Sequence, residues 1–268
     1  MSNPVMSRNP YFTGQTQRPN QFNQAAYGQP EMTSQPSYST FDAKPADGRM
    51  TYTDAMNKTA LLLGVTVVAG VLAAMLVPVP SMYAIALISS LAALGVGFFA
   101  AFKPMVSPAL ALGYAVLEGV ALGTITRAFD LLYPGIAFQA ILATAVIVAV
   151  TLGLHYSGAV RTTPRGRKIV YIVAIGYLVF SLINMVLVWT GAMAGFGLRS
   201  GNLGLLIGTA MIFIAAYMLI ADFEQVNEAI ANGAPAQFAW TTALAIVMTI
   251  LWIYIEVLRI LAILADNR

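Results

Sequence analysis

From residue 59 onward the chain alternates long apolar runs with short polar breaks. Between Thr59 and Phe102 there is no Asp, Glu, Lys or Arg, a run long enough to cross a bilayer twice at roughly 20 apolar residues per crossing. Seven apolar segments follow one another, at 59–80, 83–103, 108–129, 137–160, 168–191, 203–222 and 239–264. The breaks carry turn chemistry: Pro78 and Pro80, Lys103-Pro104 with Pro108, Tyr133-Pro134-Gly135, and Asn232-Gly233-Ala234-Pro235. Asn-Gly followed by Pro stops a helix, because Gly accepts a left-handed backbone and Pro cannot continue the ladder. The segments are too long and too uniformly apolar for the alternating strands of a barrel, and a helix satisfies its own backbone in lipid. The pattern predicts an all-α membrane protein, a bundle of seven transmembrane helices, over residues 51–268.

Composition adds the remaining piece. Hydrophobic residues make up 59% of the chain and charged residues 9%, against about a quarter charged in a soluble domain. Residues 1–50 differ sharply, being rich in Asn, Gln, Pro, Ser and Tyr. They lack the apolar core of a signal peptide and cannot bury enough apolar surface to offset chain entropy. They are expected to form a disordered polar tail. Its aromatic residues could dock a protein partner, or the tail is simply solvated.

Charge placement sets the orientation. With the tail in the cytoplasm, the inner side receives Arg49, Lys58, Lys103, Arg161, Arg165, Arg167 and Lys168, and the outer side only Arg199 and Arg268. The positive-inside bias therefore predicts a cytoplasmic N-terminus and an external C-terminus. Asp222, Glu224 and Glu228 also fall inside, but acidic residues contribute little to orientation. Two glycine pairs at four-residue spacing, Gly119 with Gly123 and Gly204 with Gly208, are candidates for close helix contacts.

Any chemistry rests on the few ionisable residues within the apolar segments. A charge at the bilayer centre costs at least about 2.5 kcal/mol and usually faces a partner or a pathway. Glu118 lies about 15 Å from the inner end of helix three by helical rise, either as a proton or cation site or as a structural carboxylate. Arg127 is nearer the outer surface and could snorkel outward. Glu256 and Arg259 are three apart on helix seven and can pair on one face. Asp222 ends helix six near the inner surface, as a functional carboxylate or a plain boundary charge. His155, the one histidine, reads more simply as a packed residue than as a ligand.

Several classes are set aside. There is no cysteine, no His-Glu-x-x-His site, no nucleophile elbow and no Walker loop. Without a lysine in helix seven a retinal Schiff base has nowhere to form. No enzyme activity, no cofactor and no nucleic-acid partner are expected.

Three motifs carry a family resemblance: Leu117-Glu118-Gly119-Val120-Ala121-Leu122-Gly123, Ala221-Asp222-Phe223-Glu224-Gln225, and Trp252-Ile253-Tyr254-Ile255-Glu256-Val257-Leu258-Arg259-Ile260-Leu261. With Met50-Thr51-Tyr52-Thr53-Asp54 before helix one, they make residues 50–265 resemble the transmembrane Bax inhibitor motif family, especially its bacterial branch. The resemblance implies a bundle with the last helix near its centre, in a bacterial cell membrane, and a passive, pH-sensitive leak of Ca²⁺ or another cation. In eukaryotes the family is associated with cell-death control. It also implies a pH sensor made of two acids, with Asp222 on the first position and Glu256 on the second. Glu118 falls on the acidic position of the family's Glu-Gly motif, and Arg259 stands where an uncharged polar residue is commoner. Two carboxylates in contact can share one proton, and Ca²⁺ suits oxygen ligands.

Helical rise limits that pair. If helix six runs to Asn232, Asp222 lies about 15 Å above the turn, and on an unbroken helix seven starting near Ala236 Glu256 lies about 30 Å above it. Either helix seven is broken or starts later, or the acids do not touch and Glu118 is the better partner of Glu256. The expected function is a pH-sensitive cation leak channel. The alternatives are a non-transporting membrane partner protein and a proton-coupled transporter.

Overall fold

The computed structural model describes residues 48–266, so nearly all of the expected tail, together with Arg268, lies outside the described residues. Among the described residues, seven helices long and apolar enough to cross a membrane follow in sequence. They are α1 (Tyr52–Leu76), α2 (Met82–Ala101), α3 (Pro108–Leu132), α4 (Ile136–Ser157), α5 (Pro164–Trp189), α6 (Gly201–Ala231) and α7 (Ala239–Asp266). Among the described residues the only β pairing is an isolated bridge between Arg49 and Pro235.

The helix boundaries follow local chemistry. α1, α3 and α5 start at the same end of the bundle, and each is capped by a hydroxyl: Thr51 accepts from the Asp54 amide at 3.1 Å, Ser107 from Leu110 at 3.3 Å and Thr163 from Gly166 at 3.0 Å. Proline occupies the first turn of α3 and α5, where its missing N–H costs nothing. α1 begins seven residues before the apolar run expected at 59. Its first turns are polar but remain helical, because Lys58 pairs with Asp54 at 2.7 Å and donates to the Ala236 carbonyl at 3.0 Å. α6 runs nine residues past the expected end at Asp222, to Ala231. There Gly233, at φ 71°, closes it with paired bonds from Gly233 N to Ile230 O and from Ala234 N to Ala229 O, the double closure of a glycine cap.

α7 is the centre of the bundle. It packs against α1, α3, α4 and α6, and its buried residues extend round the helix (Ala243, Leu244, Ile246, Val247, Ile253 and Val257). Leu244 and Val247 join one apolar cluster with α1, α2 and α3; Ile246, Ile253 and Val257 join the other with α4 and α6. α5 is the opposite case. Only Tyr177 and Asn184 are buried on it, and Ile169, Ile172, Ile175, Leu178, Val179 and Ile183 are exposed, as befits a lipid-facing helix.

Both glycine pairs sit at helix contacts. A Cβ on Gly123 would collide with the Gly70 backbone of α1, and one on Gly119 with the Thr66 carbonyl. Gly208 faces Arg259 and Ile260 of α7 within 3.0 Å of where its Cβ would lie. Lipid offers apolar surface as readily as another helix does, so the closest backbone approach decides the partner. Gly123→Ala is therefore expected to destabilise the protein by roughly 1–3 kcal/mol through overpacking. Gly113→Ala, which meets nothing within 4 Å, should leave the melting temperature in detergent unchanged or slightly raised.

Candidate functional site

The polar side chains of the bundle fall into three groups stacked along α6 and α7. The first lies at the end that carries Met50. A cavity of about 1040 Å³ opens there between α1, the α4–α5 turn and α6, lined by Tyr52, His155, Tyr156, Arg161, Arg167 and Glu228, among others. Arg167 of α5 spans its wall, donating to Glu224 at 2.7 Å and Glu228 at 2.9 Å on α6. The Thr162 amide and hydroxyl both donate to Glu224, and Arg167 Nε donates to the Thr162 hydroxyl at 2.6 Å. Glu224 and Glu228, one turn apart, thus tie the start of α5 to α6. His155 packs its ring against Phe223, with centroids 5.4 Å apart.

The second group is deeper. Asp222, 2% exposed, accepts a hydrogen bond from Thr249 of α7 at 2.6 Å. One turn further along α6, the Gln225 side chain donates to the Tyr171 hydroxyl and the Ala221 carbonyl, both at 3.2 Å. Its carbonyl oxygen is buried without a hydrogen-bond partner among the described residues. Counted from the Met50 end, Asp222, Thr249 and Glu118 each lie nine or ten residues into their helices, a depth of about 15 Å. Glu118 is half-buried and makes no hydrogen bond to either of the other two acids.

The third group lies nearer the opposite end. Glu256, 1% exposed, pairs with Arg259, 5% exposed. The Tyr177 hydroxyl of α5 donates to the other Glu256 oxygen at 2.6 Å, and Trp252 stacks on the Tyr177 ring. Arg199, from the turn between α5 and α6, donates to the Tyr177 hydroxyl at 3.0 Å and to Ser181 at 3.2 Å. Arg259 thus pairs with the carboxylate directly, and Arg199 reaches it only through the Tyr177 hydroxyl.

Asp222 and Glu256 do not meet. The residue of α7 that faces Asp222 is Thr249, two helical turns short of Glu256, so the two carboxylates stand about 10 Å apart along the helix. α7 is unbroken, and its start at Ala239, after the 3-10 turn Ala236–Phe238, does not bring Glu256 down to Asp222, so the acids do not touch. The corollary, a pairing of Glu118 with Glu256, fails: Glu118 is level with Asp222 rather than with Glu256, and Glu256 is satisfied by Arg259 and Tyr177. Glu256 and Arg259 do form the local pair that their spacing predicts. Arg127 is exposed near the end of α3 and takes no part in any group.

Thr249, Tyr177, Arg199, Gln225 and Arg167 were missed as candidates. Thr249 had a signal, since it lies seven residues before Glu256 and so on the same face of α7. Tyr177, Ser181 and Asn184 form a polar stripe at helical spacing in an otherwise apolar segment. Arg199 counted only as a loop charge, because nothing in the sequence turns the loop inward.

Removing one partner of a buried ion pair costs about 3–5 kcal/mol. Glu256→Gln, which strands Arg259, should lower unfolding stability by that order. Glu256→Gln with Arg259→Met should recover much of the loss.

The sequence model of a family described as Bax inhibitor 1 like matches residues 3–266, nearly the whole chain. Searches of curated proteins and of solved structures returned no match.

Proposed function

Because the chain belongs to the Bax inhibitor 1-like family, we propose that it is a passive, pH-sensitive leak channel for Ca²⁺ or a similar cation. The observation that carries this reading is Asp222. A carboxylate almost wholly buried in the middle of an apolar bundle, held by one hydroxyl of the central helix, is costly to keep there and suits a group that a cation or proton visits. Glu118 at the same depth adds a second acid to that level. In this reading the cation enters through the cavity at the Met50 end, past Glu224 and Glu228, and meets the acidic level before the level of Glu256 and Arg259. Among the described residues no three His, Asp or Glu side chains gather as a metal site, so an ion would meet acids one or two at a time, as a leak requires rather than a tight store.

The reading includes an orientation. The Lys and Arg bias places the N-terminus and the cavity in the cytoplasm and the C-terminus outside, with the chain in a bacterial cell membrane. It calls for no cofactor and no enzymatic step. The pH sensor it assigns is Asp222 with Thr249, and Glu256 serves the outer level instead of forming a pair with Asp222.

The test is Ca²⁺ flux into liposomes holding the purified full chain. We expect flux that changes between about pH 6 and 8, the range in which a buried carboxylate can titrate. Asp222→Asn should reduce it by roughly tenfold or more and flatten its pH profile, since the amide does not titrate. Glu118→Gln should lower flux with the profile retained. A chain that passes no cation at any of these pH values is a partner protein and not a channel. Saturable uptake that follows a proton gradient would make it a transporter.

A further inference from the structure

The turn between α5 and α6, residues 190–200, does not simply loop into solvent. It folds back along α5 and is fastened at three points. Asn184, 4% exposed, clamps its backbone: the side-chain amide donates to the Phe196 carbonyl at 3.1 Å, and its oxygen accepts from the Leu198 amide at 2.6 Å. Phe196 then stacks on Phe129 of α3, with ring centroids 5.7 Å apart and planes within 12°. Arg199 points inward to Tyr177 and Ser181, its guanidinium 5.8 Å from the centre of the Tyr177 ring. The turn thus spans from α5 to α3 across one end of the bundle.

Its chemistry is that of a removable cover. Gly197 and Gly201, at φ 62° and 55°, flank Arg199 and hold backbone conformations that other residues adopt only with strain. A Cβ on Gly197 would also strike the Asn184 oxygen, so the clamp needs glycine there. Beneath the cover Arg259 pairs with Glu256, and Arg199 of the cover itself donates to the Tyr177 hydroxyl that bonds the same carboxylate. Arg199 Nε and Arg259 Nε and Nη1 are buried without hydrogen-bond partners among the described residues. The other acids toward this end make no contact with this group: Asp130 accepts from the Gly135 amide at 3.0 Å, and Asp266 from Tyr133 at 3.0 Å. The local group of Arg199, Arg259 and Glu256 carries two positive charges against one negative in a medium that screens poorly, and a cation approaching Glu256 is repelled while Arg199 stays docked. With Arg199 withdrawn, Glu256 and Arg259 balance and that repulsion falls.

We propose that residues 190–200 form a lid clamped by Asn184, and that Arg199 is its barrier charge, closing this end of the bundle to cations. The lid stands on geometry alone; the barrier role rests on the cation-leak reading above. Since the chain has no cysteine, a single Leu198→Cys gives one reporter for a charged, membrane-impermeant maleimide offered on both sides of proteoliposomes. Adding Asn184→Ala or Gly197→Ala should raise its labelling rate by roughly tenfold, the loss of two ordinary hydrogen bonds. Gly176→Ala, a control with nothing within 4 Å, should leave the rate unchanged. Equal labelling in all four proteins would overturn the lid. In flux, Arg199→Gln keeps a donor but removes the charge, and should raise Ca²⁺ passage several-fold, whereas Arg199→Lys should restore the barrier. Wild-type flux that Arg199→Gln leaves unaltered would overturn the barrier role. Absence of flux in the wild type would refute the leak reading and with it the barrier, leaving the lid to be decided by labelling.

Discussion

In lipid, apolar burial gives a helix no reason to prefer one neighbour over another, because the acyl chains are as apolar as leucine. The arrangement of this bundle depends on that constraint. What fixes it is the small set of contacts that lipid cannot imitate: backbone approach at glycine, and polar groups that have no partner outside the protein. α1 and α3 meet through Gly70, Gly119 and Gly123. α6 and α7 meet through Gly208 under Arg259, and through Asp222 and Thr249. The interior charges that look like a burden on stability also specify which face of α7 turns to which neighbour.

α5 shows the same constraint most plainly. It has little apolar contact with the rest, and its two buried residues, Tyr177 and Asn184, are both polar-tipped. Arg167 fastens its beginning to α6, and Tyr177 ties its middle to α7. Each attachment is a hydrogen bond or ion pair. Such bonds are directional and can be exchanged for water, whereas an interdigitated apolar seam cannot be opened without loss of contact. A cavity and a cover therefore occur at opposite ends of the one helix whose attachments can be undone locally.

Much of the fold is legible in the sequence, and the reason is length: each apolar run matches the bilayer, and each break holds proline or glycine. Helix ends are less legible, because hydropathy reports the edge of the bilayer and not the end of the helix. α6 continues through Glu224 and Glu228 because Gln225 and Arg167 keep its last turns engaged. The acidic positions were visible as residues, and the Glu256–Arg259 pair followed from spacing alone. The partner of Asp222 did not. It depends on the offset between α6 and α7, which the four-residue turn 232–235 and the short 3-10 turn Ala236–Phe238 set together. One turn of difference there would bring another residue of α7 opposite Asp222. The inward course of Arg199 was hidden for a similar reason, since it depends on backbone angles at glycine that composition does not encode.

The short backbone pairing ahead of α1 carries a mechanical consequence. Met50 N donates to Ala234 O and Ala236 N to Gly48 O, both at 2.8 Å. These two bonds join the segment before α1 to the turn between the helices that bear Asp222 and Glu256. Tension applied upstream of Gly48 would load that turn directly, before any of it reached the rest of α1. Residues 48–50 thus fix the position of the α6–α7 turn through a two-bond strip.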